Sequence, residues 1–217
     1  MHIEFLVEDS SASKLVSILL PKIIGSHEKK HTWRIHEYKG VGRLPKGLTA
    51  KTDASKRILL DQLPRLLMGY AKTRGIDAVV VLVDTDNRDC RAFLGELRKL
   101  HKSLCSAPET LFRLAIEEVE AWYFGDKNAL FAAYPNAKHA IVSKYKQDSV
   151  CGTWEMLAKA ICSEDENKSL LENPWPLSGR KKHEWAEAMG PYMNIDDNKS
   201  PSFCKFRDGL RRLVQGQ

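Results

Sequence analysis

In the stretch AVVVLVDTDNRDC, residues 78–90, the apolar residues Val79 to Val83 run straight into Asp84, Asp86 and Asp89. Carboxylates at positions i and i+2 of extended backbone point the same way, so Asp84 and Asp86 are suited to approach one cation together. Oxygen ligands of this kind suit Mg2+, which keeps several waters and needs only a few convergent carboxylates. Two further acidic groups stand in comparable settings: Glu8 and Asp9 after HIEFLV, and Glu117, Glu118 and Glu120 after LFRLAI. Each group alone also has a purely structural explanation. Asp86, Asn87 or Asp89 suits the cap of a following helix, Asp89 best, and acids in the first turn of a helix over 117–132 favour its dipole without any ion. Glu8 together with Asp84 and Asp86, on strands expected to be neighbours, favours a metal-binding rim over separate caps.

The elements that must position these residues alternate between strand and helix. Strands are expected at 2–7 (HIEFLV), 32–37 (TWRIHE), 76–83 and 111–116 (LFRLAI). The unbroken apolar run of the third is what a parallel strand covered on both faces requires. Helices are expected from about Ser10, over 53–73 and over 90–103, with Pro21 kinking or shortening the first because it supplies no backbone donor. This βαβαβαβ order implies a four-stranded, mainly parallel α/β sheet with right-handed crossovers, and ligands gather at the carboxyl ends of such strands. From Glu117 onward the pattern is helical, with helices at 117–132, 153–162, 179–190 and 203–214. The expected organisation is therefore an α/β domain over 1–126 and a helical C-terminal extension over 127–217 packed on it.

The totals limit the function classes. The chain has 217 residues, 43% hydrophobic and 29% charged, enough for a substantial core. No apolar run approaches the roughly 18–20 residues of a membrane span, and MHIEFLVEDS carries acids where a secretory signal carries bases. Five scattered cysteines, never spaced C-x-x-C, fit reduced thiols in a cytoplasm and give no zinc site. Net charge is +6, but residues 27–74 hold twelve Lys/Arg against four Asp/Glu, a local +8 that leaves the remainder at −2. A basic segment facing acidic clusters suits a protein that attracts a polyanion and also holds cations; a solvated basic helix surface gives the same count. Lys39, Arg43 and Lys46, in the Gly-rich loop after the second strand, are the candidate phosphate contacts. Tyr38 and Trp122 are candidates for stacking on bases, with packing in the core the stronger expectation for Trp122.

Other motifs do not match. Haloacid-dehalogenase-like phosphatases carry D-x-D after the first strand, with Thr or Val two residues on, where this chain has Arg88. GVGRLPKG, residues 40–47, fits neither G-x-x-x-x-G-K-[ST] nor G-x-G-x-x-G. His27, His31 and His36 lack a fourth ligand for zinc, and no G-x-S-x-G nucleophile context is present.

A carboxylate ending the first strand with D-x-D ending a later one resembles the TOPRIM catalytic core of topoisomerases, primases and OLD-type nucleases. FLVEDSSASKLVSILLPKII, IHEYKGVGRLPKGL, RLAIEEVEAWYFGD and NKSPSFCKFRDGLRRL sharpen the likeness across about residues 3–214. Together they look like a family of small TOPRIM-like proteins with a domain of unknown function, related to the effector nuclease of the PARIS anti-phage system. The resemblance implies a TOPRIM-like (Rossmannoid) sheet and a cytoplasmic nuclease dependent on Mg2+ or Mn2+, with Glu8, Asp84 and Asp86 in metal-binding roles. It further implies that Glu117, Glu118 and Glu120 complete the acidic rim, with Glu118 or Glu120 orienting a water or holding a second ion. Where many nuclease TOPRIM domains carry a further acid, this chain has Ala12 and Ser13, which leaves Asp9 as the substitute. The expected partner is nucleic acid, DNA or RNA, with an ATPase subunit and a second copy of the chain as further candidates. The alternative is a non-catalytic nucleic-acid-binding or regulatory subunit of an ATPase complex, or an interaction module docking through its helical third.

Overall fold

The computed structural model of the protein describes residues 1–45, 53–104, 106–149 and 152–216. Strands form at β1 (His2–Val7), β2 (Thr32–Glu37), β3 (Ala78–Asp84) and β4 (Glu109–Ala115), close to the four expected spans. They make one all-parallel sheet in the order β2-β1-β3-β4. The register sets Val7 beside Leu82 and Asp84 beside Ala115, so the ends of β1, β3 and β4 share one edge.

The alternation of side chains along each strand builds two cores. Phe5, Val7, Val80 and Leu82 face a layer formed by α1 (Ser10–Ile24) and the C-terminal helices. Leu6, Val79, Val81 and Val83 face α2 (Leu59–Tyr70) and α3 (Cys90–Ser103). β3 is therefore buried on both faces, as its unbroken apolar run requires. The result is a three-layer α/β/α sandwich whose outer layer is completed by α4 (Ala121–Gly125), α5 (Lys127–Ala133), α6 (His139–Val142), α7 (Thr153–Ile161), α8 (Glu164–Glu172), α9 (Pro174–Met189) and α10 (Pro201–Gln215). α9 lies on α1 and α10 on β4. Trp185, Phe203, Phe206 and Leu210 belong to the same apolar cluster as Ile3 and Phe5, so the helical part shares its core with the sheet. Among the described residues no helix is long and apolar enough to cross a membrane.

The structure differs from the sequence reading in several places, each with a local cause. Pro21 neither kinks nor ends α1, because Ser17 and Pro21 both lie on its exposed side, where water can take the carbonyl that Pro21 leaves unpaired. The helix expected over 53–73 begins only at Leu59, where the carbonyls of Gly40 and Val41 accept from the amides of Leu59 and Leu60. The helix expected over 117–132 does not form as one. Residues 117–120 make a tight turn, and buried Asp126 starts a new helix by accepting from Ala129 N at 3.0 Å while holding Asn194 N at 2.6 Å. Helices α6 and α8 lie in segments that gave no helical signal.

Candidate active site at the carboxyl edge of the sheet

Glu8 follows β1 directly, and its Oε2 accepts from the backbone N–H of Asp84 at 3.2 Å. Asp84 is the last residue of β3. The segments after β3 and β4 are laced together: Thr85 N donates to Ala115 O, Asp86 N to Glu117 O, and Glu117 N to the buried Thr85 hydroxyl at 2.8 Å. Asp86 is not extended. Its φ of 49° is left-handed, so Asp84 and Asp86 do not share the i, i+2 geometry expected of a continuing strand. The Asp86 side chain is half exposed and lies 3.6 Å from Arg88, yet it stays near enough to Glu8 to disfavour that group's charge.

The acids after β4 have three different roles. Glu117, also left-handed, turns away from the rim and accepts from Gly152 N, Thr153 N and the Thr153 hydroxyl, anchoring the start of α7. Its expected place in the rim is therefore corrected: three donors at a helix N-terminus claim its carboxylate. Glu118 and Glu120 remain on the rim, and Glu120 is completely buried. Between them stands a residue the sequence reading missed, Lys182 of α9. Its ammonium lies 2.9 Å from Glu118 Oε1 and 3.6 Å from Glu120 Oε2. Asp9 caps α1, accepting from Ala12 N at 2.8 Å and from the Ser11 hydroxyl at 2.9 Å. Asp89 caps α3 through Ala92 N at 2.7 Å, as anticipated.

Concentrating carboxylates in a partly dry edge disfavours their charged forms. Burial, with Asp9 and Asp86 adding to it, pushes the Glu8 carboxyl up to about 7, against the opposing Asp84 N–H and Lys182. Burial, then Glu8 and Glu120, hold Asp84 well above the usual carboxylate range. Glu120 is pushed up to about 8, chiefly by burial and then by Glu118 and Asp9, with Lys182 opposing. Glu118 is also raised by burial, in spite of Lys182. Burial would lower the Lys182 ammonium, but Glu120, Glu118 and Asp84 outweigh it and keep it firmly charged.

The basic loop after β2 borders this rim. Tyr38 N donates to Val7 O and Gly40 N to Glu8 O, which brings exposed Lys39 alongside the first acid. Arg43 is exposed and its backbone N–H is held by Asp61. Gly42 is required here, with φ of 69° and a site where a Cβ would run into Ile58. A cleft of about 450 Å³ continues from the rim, lined in part by Arg43, Asp86, Asn87, Arg88 and Phe93. Arg88 stacks over the Phe93 ring at 4.7 Å, a contact that holds its guanidinium over the cleft wall. Lys46 lies outside the described residues. Trp122 is buried, 5.4 and 5.1 Å from the rings of Phe203 and Phe206, with its Nε1 donating to Ser202 at 3.0 Å; it is a core residue.

Among the described residues no three His, Cys, Asp or Glu side chains converge closely enough to cage a metal ion. The donor chemistry nevertheless fits a hard divalent cation. Every rim donor is a carboxylate oxygen, and Glu118 Oε2 and both oxygens of Glu120 are buried without a hydrogen-bond partner.

Neither the curated proteins nor the solved structures gave a match to this sequence. The family model described as "Domain of unknown function (DUF4276)" matches residues 7–211, nearly the whole sequence, and the chain belongs to that family.

Proposed function

We propose that the protein is a nuclease dependent on Mg2+ or Mn2+ that hydrolyses phosphodiester bonds of DNA or RNA. The observation that carries this reading is the acid cluster itself. Glu8, Asp84, Glu118 and Glu120 crowd the carboxyl edge of a parallel sheet, where Lys182 pairs with Glu118 and Glu120 and three buried carboxylate oxygens still accept no hydrogen bond. Buried carboxylates with raised pKa values beside a cleft mark a candidate functional site, and a cation entering there would relieve their mutual repulsion. Glu8, Asp84 and Asp86 are the residues that would hold the metal. When bound, such an ion polarises a phosphoryl oxygen and lowers the pKa of a water.

The remaining roles belong to the chain's own groups. Glu120, fully buried, holds Lys182 in place rather than meeting solvent. Lys182, kept charged by its acid neighbours, offers a fixed positive charge to a phosphate that becomes more negative as it reacts. Lys39 and Arg43 contact flanking phosphates. The sequence resemblance to the effector nuclease of the PARIS system supports a role in phage defence, in a cytoplasmic setting and with an ATPase partner or a second copy of the chain.

A second reading, nucleic-acid binding without cleavage as a regulatory subunit of an ATPase complex, is favoured by one observation. Lys182 already supplies positive charge to the rim, pairing with Glu118 and Glu120.

The test incubates purified protein with single-stranded, duplex and transfer nucleic acids in Mg2+, Mn2+ or EDTA. Metal-dependent cleavage that is lost in Glu8→Ala and Asp84→Ala supports the nuclease. Cleavage untouched by both substitutions overturns it, and binding by the wild type and both variants with no cleavage supports the second reading.

A further inference from the structure

β4 is an edge strand, and cations from both helical layers meet beside it. Arg98, His101 and Lys102 come from α3 and its last turn, Arg113 from β4 itself and Arg212 from α10. Arg98, His101, Lys102, Thr110 and Arg113 line a cleft of about 160 Å³, room for one phosphate group. No carboxylate is among the described residues lining it, and neither Arg98, Lys102, Arg113 nor Arg212 forms an ion pair among the described residues. The neighbouring arginines Arg207 and Arg211 are paired, with Asp208 and Asp196.

Arg113 is held in a definite pose. Its Nε donates to Lys205 O at 2.8 Å and its Nη1 to Phe112 O at 2.7 Å, which leaves donors of the five-donor guanidinium without a described partner. α10 makes room for it with Gly209, where a Cβ would run into Nη2. Burial and the like charges of Arg212 and Arg98 depress its pKa, which records how closely these cations gather.

Two ordinary explanations cover part of this arrangement. Cations at the C-terminus of α3 favour its dipole, and charges on an edge strand block pairing with another chain. Neither explains why a pinned, half-buried arginine has Arg98 and Arg212 beside it and no ion pair of its own among the described residues, an arrangement that costs energy until an anion enters.

We propose that the Arg98–Arg113–Arg212 cluster, with Lys102, is an anion site that takes a backbone phosphate of duplex nucleic acid. The choice of nucleic acid among polyanions rests on the proposed function; the site itself rests on the geometry. It lies on the sheet edge away from β2, so it extends the contact beyond the Lys39–Arg43 loop.

The experiment measures anisotropy of a labelled 20-base-pair DNA and the matching RNA duplex in EDTA, across a salt series. Arg98→Ala/Arg212→Ala, both at exposed positions, is expected to weaken binding about tenfold at 100 mM salt and to reduce the log–log salt slope by about 2. Lys102→Glu, exposed in the same cleft, is expected to weaken binding as well. Lys29→Ala/Lys30→Ala, at the opposite edge of the sheet, removes the same charge and is expected to leave affinity within twofold. Equal losses in both double variants, unchanged affinity in Arg98→Ala/Arg212→Ala, or no duplex binding by the wild type overturns the proposal. So does binding of inorganic phosphate at the cluster with no contribution to duplex affinity. The binding series contains no metal and reads no cleavage, so loss of the anion site and failure of the nuclease reading are scored separately.

Discussion

Lys182 donates to Glu118 at 2.9 Å across 64 positions of chain, carrying a positive charge from α9 into an edge of the sheet built otherwise of acids. Together with the Glu117 anchor of α7, that contact joins the helical layer to the candidate active site. Its energetic sign depends on what remains when either partner is removed.

Lys182→Met leaves Glu118 and Glu120 buried and uncompensated. Breaking a buried pair from one side costs about 3 kcal/mol, so urea unfolding at pH 7.5 should show a loss of that order. Adding Glu120→Gln should recover a substantial part of it. Full stability in the single variant would show that the ammonium contributes nothing net.

The raised carboxyls make metal-free stability fall as pH rises. Glu8 and Glu120 titrate near 4.5 when unfolded and at about 7 and about 8 when folded, so between those values the folded chain holds more protons. Their contribution is full below pH 4.5 and is lost as pH climbs through 7 to 8. In EDTA the melting temperature should drop by several degrees between pH 5.5 and 8.5. Glu8→Gln/Glu120→Gln should flatten that profile, and Mg2+ should raise the melting temperature more at pH 8.5 than at 5.5. A metal-free profile that rises over this window would contradict the assignment.

Glu117→Ala strips α7 of its N-terminal acceptor, exposing Gly152 N, Thr153 N and the Thr153 hydroxyl. The expected cost is about 2 kcal/mol. Hydrogen exchange should quicken first across Thr153–Ile161, while the amides of β3 keep their protection.

Gly125→Ala should destabilise by more than about 2 kcal/mol through overpacking. A Cβ there would run into Asn198 Oδ1 and sit 2.8 Å from Ser200 N. Asn198 holds Trp122 O at 2.8 Å and Ser200 N at 2.9 Å, so the whole approach to α10 must move. A circular-dichroism melt indistinguishable from the wild type would show that this turn yields.

Which of these features could be read in advance follows from the range of the interaction. The apolar run of β3 and the acids after three strands are local, and parallel topology then brings Glu8 and Asp84 together without further information. Asp89 as a cap was equally legible. The left-handed turn at Asp86 depends on Glu117 O and its register across two loops, which spacing within D-x-D does not encode. Glu117 looked like its neighbours because its distinguishing partners lie 35 and 36 positions away. Lys182 sat in the run GRKKHEW as one of three consecutive cations. Only the docking of α9 on α1 selects it from Arg180 and Lys181, which pair with Glu184 and Glu166 instead.

The order of synthesis gives the Lys182 contact a further meaning. Glu8, Asp84, Glu118 and Glu120 all leave the ribosome before α9 does, and chains emerge at about 5–20 residues per second. For several seconds the nascent sheet carries its acids without their ammonium. The rim is therefore completed only after the whole sheet has been made, and a chain truncated before α9 would display these acids without the ammonium that balances them.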